Sequence, residues 1–167
     1  DIDTSGGDID TYSADGTAGD VTIDALGSVN VNNITSYGGE NSGNVTVTSD
    51  EGSIATGNIR TIAPNGTSGN VTLNTFSYNG DITTANISTE GGQAAGNITV
   101  VAPDGSISTD DISSISTAGD SGDITVAGGD DVTTGDISSV AQGNSGDITV
   151  TSTEGSVTTG DISSIAE

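Results

Sequence analysis

One five-residue block limits what this chain can fold into. Glycine, then Asp or Asn, an aliphatic, Thr and a second aliphatic occurs six times. The copies are Gly19-Asp20-Val21-Thr22-Ile23, Gly43-Asn44-Val45-Thr46-Val47 and Gly69-Asn70-Val71-Thr72-Leu73. They continue as Gly96-Asn97-Ile98-Thr99-Val100, Gly122-Asp123-Ile124-Thr125-Val126 and Gly146-Asp147-Ile148-Thr149-Val150. Successive glycines stand 24, 26, 27, 26 and 24 residues apart. A period of that size means a solenoid, a propeller or an array, since one such unit cannot bury its apolar face alone. Inside the block, aliphatics alternate with Thr, the period-two signature of a half-buried strand.

Two further anchors share the period. One carries Val29, Ile54, Ile82, Ile107, Val132 and Val157; the other carries Ile34, Ile59, Ile87, Ile112, Ile137 and Ile162. The step from the second anchor to the third is five residues in each of these six coils, whereas the first-to-second step varies from eight to eleven. A coil with one tight corner and two tolerant ones has this spacing. Ile2 fits the second anchor and Ile9 the third, so the chain starts in mid-coil. The expectation is an all-β parallel β-helix (a β-solenoid) forming one domain over residues 1–167. It has about three short strands per coil of 24–27 residues, six full coils and a partial N-terminal one. Such coils either continue into a longer array or stack end to end on identical neighbours.

The interior is expected to hold the aliphatics of all three anchors. Tyr12, Tyr37, Ile62, Ile115, Val140 and Ile165 each follow a third anchor by three residues and are read as core filling, with Glu90 breaking the column. Phe76-Ser77-Tyr78, in the longest unit, is read as a loop folding over its own coil edge, with a contact patch on a bulging corner as the alternative.

Composition then removes several function classes. Only 30% of residues are hydrophobic, 2% are aromatic and the net charge is −23. Those values would suit a disordered chain, but regularly placed Val and Ile argue for coils that cover one another. Arg60 is the lone basic residue, so nucleic acid is not a partner, because phosphate contacts need Lys and Arg. The absence of Cys and His removes disulfides and Cys/His zinc sites. No apolar run approaches the roughly 18 residues of a membrane-spanning helix.

Chemistry-bearing residues fall into columns. Asp20, Asn44, Asn70, Asn97, Asp123 and Asp147 form one, and Asp8, Asn33, Asn58, Asn86, Asp111, Asp136 and Asp161 another. Asn and Asp after Gly suit turns because they tolerate left-handed backbone and bond locally; stacked Asn can also bond amide to amide. Carboxylates in register repel unless water, a proton or a cation intervenes. Asp111, Asp123, Asp136, Asp147 and Asp161 are therefore candidate calcium ligands, calcium being a hard cation that takes carboxylate and carbonyl oxygens. The competing reading is a solvated acidic surface. The pairs Asp110-Asp111 and Asp130-Asp131 offer the two carboxylates that glycoside hydrolysis requires, but they recur with the repeat and have no His or Lys beside them. Thr22, Thr46, Thr72, Thr99, Thr125 and Thr149 should line one outer face, similar to the Thr arrays of β-helical antifreeze proteins. Six Asn-x-Ser/Thr sequons, at Asn33, Asn44, Asn65, Asn70, Asn86 and Asn97, mostly coincide with the columns.

The units Ser-Gly-Asn/Asp-Ile-Thr-Val, Gly-Ser-Ile/Val-x-Thr and Gly-Asp-Ile-Ser-Ser resemble the repeats of large bacterial exoproteins of the filamentous-haemagglutinin type, abundant in cyanobacteria. The resemblance implies a secreted shaft at the cell surface or outside the cell, serving adhesion or filament building, with a surface or glycan as ligand. The expected function is thus structural and non-catalytic, with an ice-binding solenoid as the alternative and a polysaccharide-active enzyme behind it. Membrane insertion is not expected.

Overall fold

A computed structural model describes residues 1–167. It contains no helix, and its twenty strands build three parallel sheets that run the length of a rod. Sheet one stacks the strands of the first anchor: β3 (Val21–Ala25), β6 (Val45–Ser49), β9 (Val71–Thr75), β12 (Ile98–Ala102), β15 (Ile124–Gly128) and β18 (Ile148–Ser152). Sheet two stacks the short second-anchor strands: β1 (Ile2–Thr4), β4 (Val29–Val31), β7 (Ile54–Thr56), β10 (Ile82–Thr84), β13 (Ile107–Thr109), β16 (Val132–Thr133) and β19 (Val157–Thr158). Sheet three stacks the third-anchor strands: β2 (Ile9–Ser13), β5 (Ile34–Gly38), β8 (Ile59–Ala63), β11 (Ile87–Gly91), β14 (Ile112–Ser116), β17 (Ile137–Ala141) and β20 (Ile162–Ala166). The chain is a β-solenoid of six full coils and a partial first one, as the anchor spacing predicts.

Register follows the repeat. Val71 pairs with Ile98, Ile98 with Ile124 and Ile124 with Ile148. Ile87 pairs with Ile112, and Ile112 with Ile137. Chain-length variation is absorbed beside sheet one, and only Asn32 and Asn33 separate β4 from β5. That two-residue corner fixes the five-residue step.

The core is thinner than expected. In the coil that begins at Gly96, the large buried aliphatics are Ile98, Val100, Ile107 and Ile112. Ile115 faces outward and is 37% exposed, and Tyr12 is 72% exposed. The whole Tyr12–Ile165 column lies on the outer surface of sheet three, so reading it as core filling was wrong. The physical reason is parity. In a strand, residues two apart share a face and residues three apart do not. The inward partner of each third anchor is therefore the hydroxyl two residues on. Thr61, Thr89, Ser114 and Ser139 are fully buried there.

Those hydroxyls are satisfied at the corner joining sheets three and one. Ser114 Oγ donates to the Gly96 carbonyl at 3.1 Å and accepts from the Gly122 amide at 2.8 Å. Ser139 repeats the pattern with Gly122 and Gly146 at 3.2 and 2.9 Å. Thr61 donates to Gly69 at 2.7 Å and Thr89 to Gly96 at 2.8 Å. A buried polar group without a partner costs about 1–3 kcal/mol, so the serine and threonine ladder ties the corner of one coil to the next. The glycine is needed for approach rather than for backbone angle. A Cβ on Gly122 would stand 2.2 Å from the Gly96 carbonyl oxygen, and no glycine has positive φ. Asn79 alone has it, at 63°. The column Asn and Asp residues are not left-handed, contrary to expectation.

Candidate functional site

The acidic columns occupy corners, and their geometry follows from coil stacking. Each side-chain Oδ1 accepts the backbone N–H of its counterpart one coil further on. In the Asp20–Asp147 column these bonds measure 2.7–2.9 Å. In the Asp8–Asp161 column they measure 2.8–3.3 Å. In the Asp8–Asp161 column the stacked Asn amides also bond each other: Asn58 Nδ2 donates to Asn33 Oδ1 at 3.2 Å, and Asn86 Nδ2 to Asn58 Oδ1 at 3.1 Å. Asp and Asn interchange in the columns because both supply the same Oδ1 acceptor.

A third such column leads into sheet two. Asp1 accepts from Ser28, Ser28 from Ser53, Ser53 from Asp81, Asp81 from Ser106 and Asp131 from Ser156. The sequence carried a signal for it, since each second anchor follows Ser or Asp. Asp131 accepts both the Ser156 amide and its hydroxyl at 2.8 Å. The amide first and the hydroxyl second hold the Asp131 carboxyl below its ordinary range. The Ser5 side chain and amide do the same for Asp3.

The candidate calcium ligands are divided between two corners. Asp123 and Asp147 precede sheet one, whereas Asp111, Asp136 and Asp161 precede sheet three. No group of three or more acidic side chains converges on one metal position. Asp111 and Asp136 each engage one carboxylate oxygen with the next coil's amide. Of the proposed catalytic pairs, Asp111 and Asp131 are held in different ladders.

The three outer faces differ in chemistry. Only Asp3, Asp10, Asp24 and Glu90 among the acidic residues lie in strands; the rest sit at corners and the C-terminus. Sheet one presents Thr22, Thr46, Thr72, Thr99, Thr125 and Thr149 outward in unbroken register. Beside them runs the mixed column Asp24, Thr48, Asn74, Val101, Ala127 and Thr151. Sheet two shows mainly small polar residues such as Asn30, Thr83, Ser108 and Thr133.

Sheet three carries the apolar column. Tyr12 and Tyr37 stack with ring centroids 5.2 Å apart and planes 15° from parallel. Ile62 is half-buried, and beyond Glu90 come Ile115, Val140 and Ile165. Glu90 pairs with Arg60 at 2.8 Å, the two side chains being 39% and 48% exposed. At that exposure the pair contributes at most about 1 kcal/mol. Between Ile62 and Ile115, a notch of about 260 Å³ is floored by Gly91 and Gly92 and edged by Pro64.

The long loop of the third full coil does not bury its aromatics. Phe76 is 63% exposed and Tyr78 is 82% exposed, so the expected fold-over onto its own coil edge is not seen. Tyr78 instead borders a groove shared with Asp104, Asp130 and Glu154 of the following three coils.

No family model, curated protein or solved structure matches the chain.

Proposed function

We propose that this chain is a structural, non-catalytic segment of a secreted bacterial surface adhesin or extracellular filament. The observation that carries the reading is the continuity of the corner ladders. One coil is repeated along the whole chain, and the two Asn/Asp columns bond each coil to the next without a break. In a solenoid, each repeat contacts only its neighbours, and length grows with repeat number. Six and two-thirds coils at ~4.8 Å give a rod roughly 30 Å tall. The acidic pairs are engaged in ladders or open to water, with no basic residue beside them, which supports a non-catalytic role. A surface or glycan is the proposed ligand. Continuation into further coils, or end-to-end stacking of copies, is the proposed mode of extension.

Immunogold labelling of intact source cells with antibody to the chain tests the reading. Label along surface stalks or filaments is the expected result. Label found only after permeabilisation would sink it.

Ice binding is the second reading, favoured by the unbroken outward Thr column of sheet one. Faceted ice growth and thermal hysteresis, lost on Thr99→Lys with Thr125→Lys, would support it. Unmodified ice growth at high protein concentration would remove it.

A further inference from the structure

We infer that two copies of this chain pair side by side through the outer face of sheet three. The inference concerns the flank of the rod and does not depend on the shaft reading. Among the three faces, this one alone carries an apolar column, formed by Tyr12, Tyr37, Ile62, Ile115, Val140 and Ile165. Strand pairing sets these side chains at the coil spacing of ~4.8 Å. A partner that follows the column over its length needs the same axial repeat, and a second copy has it. A two-fold axis parallel to the strands lays the apolar column of one copy on that of the other. It also lays the neighbouring outward column, from Asp10 and Thr35 to Ser138 and Ser163, on the same column of the second copy in reversed order. The contact is then isologous and closed.

Charge and area agree with this occupant. Within the sheet-three strands the charged residues are Asp10, Arg60 and Glu90, and the last two already neutralise each other. The face is therefore nearly uncharged on a chain of net charge −23. Seven strands by five residues give roughly 500–600 Å² per copy. The pair together just clears the ~1,000 Å² expected of a specific contact, so the dimer is weak and concentration-dependent. Most interfaces built on opposite charges weaken in salt. This one strengthens, because salt screens the repulsion between two acidic rods.

Sedimentation velocity and small-angle scattering test the proposal at ~50 and ~500 mM NaCl. The expected result is a dimer fraction that rises with salt and a particle that grows in cross-section without growing in length. Tyr37→Asp with Ile115→Asp should lower the association constant at least about tenfold. Both sites are outward, so the fold survives, which circular dichroism checks. Thr46→Asp with Thr125→Asp adds the same charge to sheet one and should leave most of the association in place. The proposal is overturned by a monomer at ~1 mM in high salt or by association that weakens with salt. Equal effects of the two double variants, or growth in length alone, overturn it as well.

Discussion

A charge placed at neighbouring positions of one strand should have opposite consequences. Val126 is fully buried and Thr125, beside it, faces out. Val126→Asp sets a carboxylate among aliphatics that cannot solvate it, and the charge must be neutralised or the coil opened. Thr125→Asp should change stability by about 1 kcal/mol or less. Urea unfolding of the two variants checks the contrast; equal losses would mean the faces are inverted. Asp131 and Asp3 give a residue-level dependence on pH. Their folded pKa values lie below the ordinary 3.8. Their contribution is therefore fully present above the unfolded value and is lost as pH falls through the folded one. As pH falls below about 4, the parent chain should lose stability relative to Asp131→Asn, read as a change in the difference between their melting temperatures. A difference between the two that stays constant across that range would contradict the assignment.

At the scale of the coil, the corner glycine controls how closely successive turns stack. Gly122→Ala drives a methyl into the Gly96 carbonyl, whereas a Cβ on Gly6 would meet nothing within 4 Å. The first substitution should cost about 2 kcal/mol or more, and the second well under 1 kcal/mol. Thermal unfolding of both variants measures the difference. The corner columns make a second prediction at this scale. Because no three carboxylates converge, calcium should raise the melting temperature no more than magnesium at equal ionic strength. A stabilisation specific to calcium and reversed by chelator would instead establish binding by mass action and assign it to Asp111, Asp136 and Asp161 or to Asp123 and Asp147.

Across the whole molecule, protection depends on having a coil on both sides. Strands β6, β9, β12 and β15 bury alternate residues fully, while β18 leaves the same positions half-buried. In the last coil Val157 and Ile162 are 45% and 52% exposed. Amide exchange should therefore be slowest in the four central coils and fastest in β1, β2, β19 and β20, since local opening follows buried contact. Uniform protection from end to end would show that another molecule covers the terminal coils in solution.

The sequence by itself determined the period, the strand positions, the tight corner between sheets two and three and the outward Thr column. Each follows from a local, repeated pattern of aliphatics, Gly and Asx. The corner columns were legible as columns, but their bonding was not. Whether Asn44 bonds its own turn or the amide of Asn70 depends on which backbone lies above it. Tertiary structure alone decided that the corner glycines serve close approach, since the atom they avoid belongs to another coil. It also decided the fate of Tyr12 and Tyr37. An aromatic in a chain so poor in apolar residues reads as core, yet strand parity turns it outward and seats Thr11 and Ser36 inside. A buried hydroxyl is tolerable there only because the next corner brings a glycine amide and carbonyl within reach, 2.8 Å in the case of Ser36 and Gly43. That proximity is a property of the closed coil and is absent from any single strand.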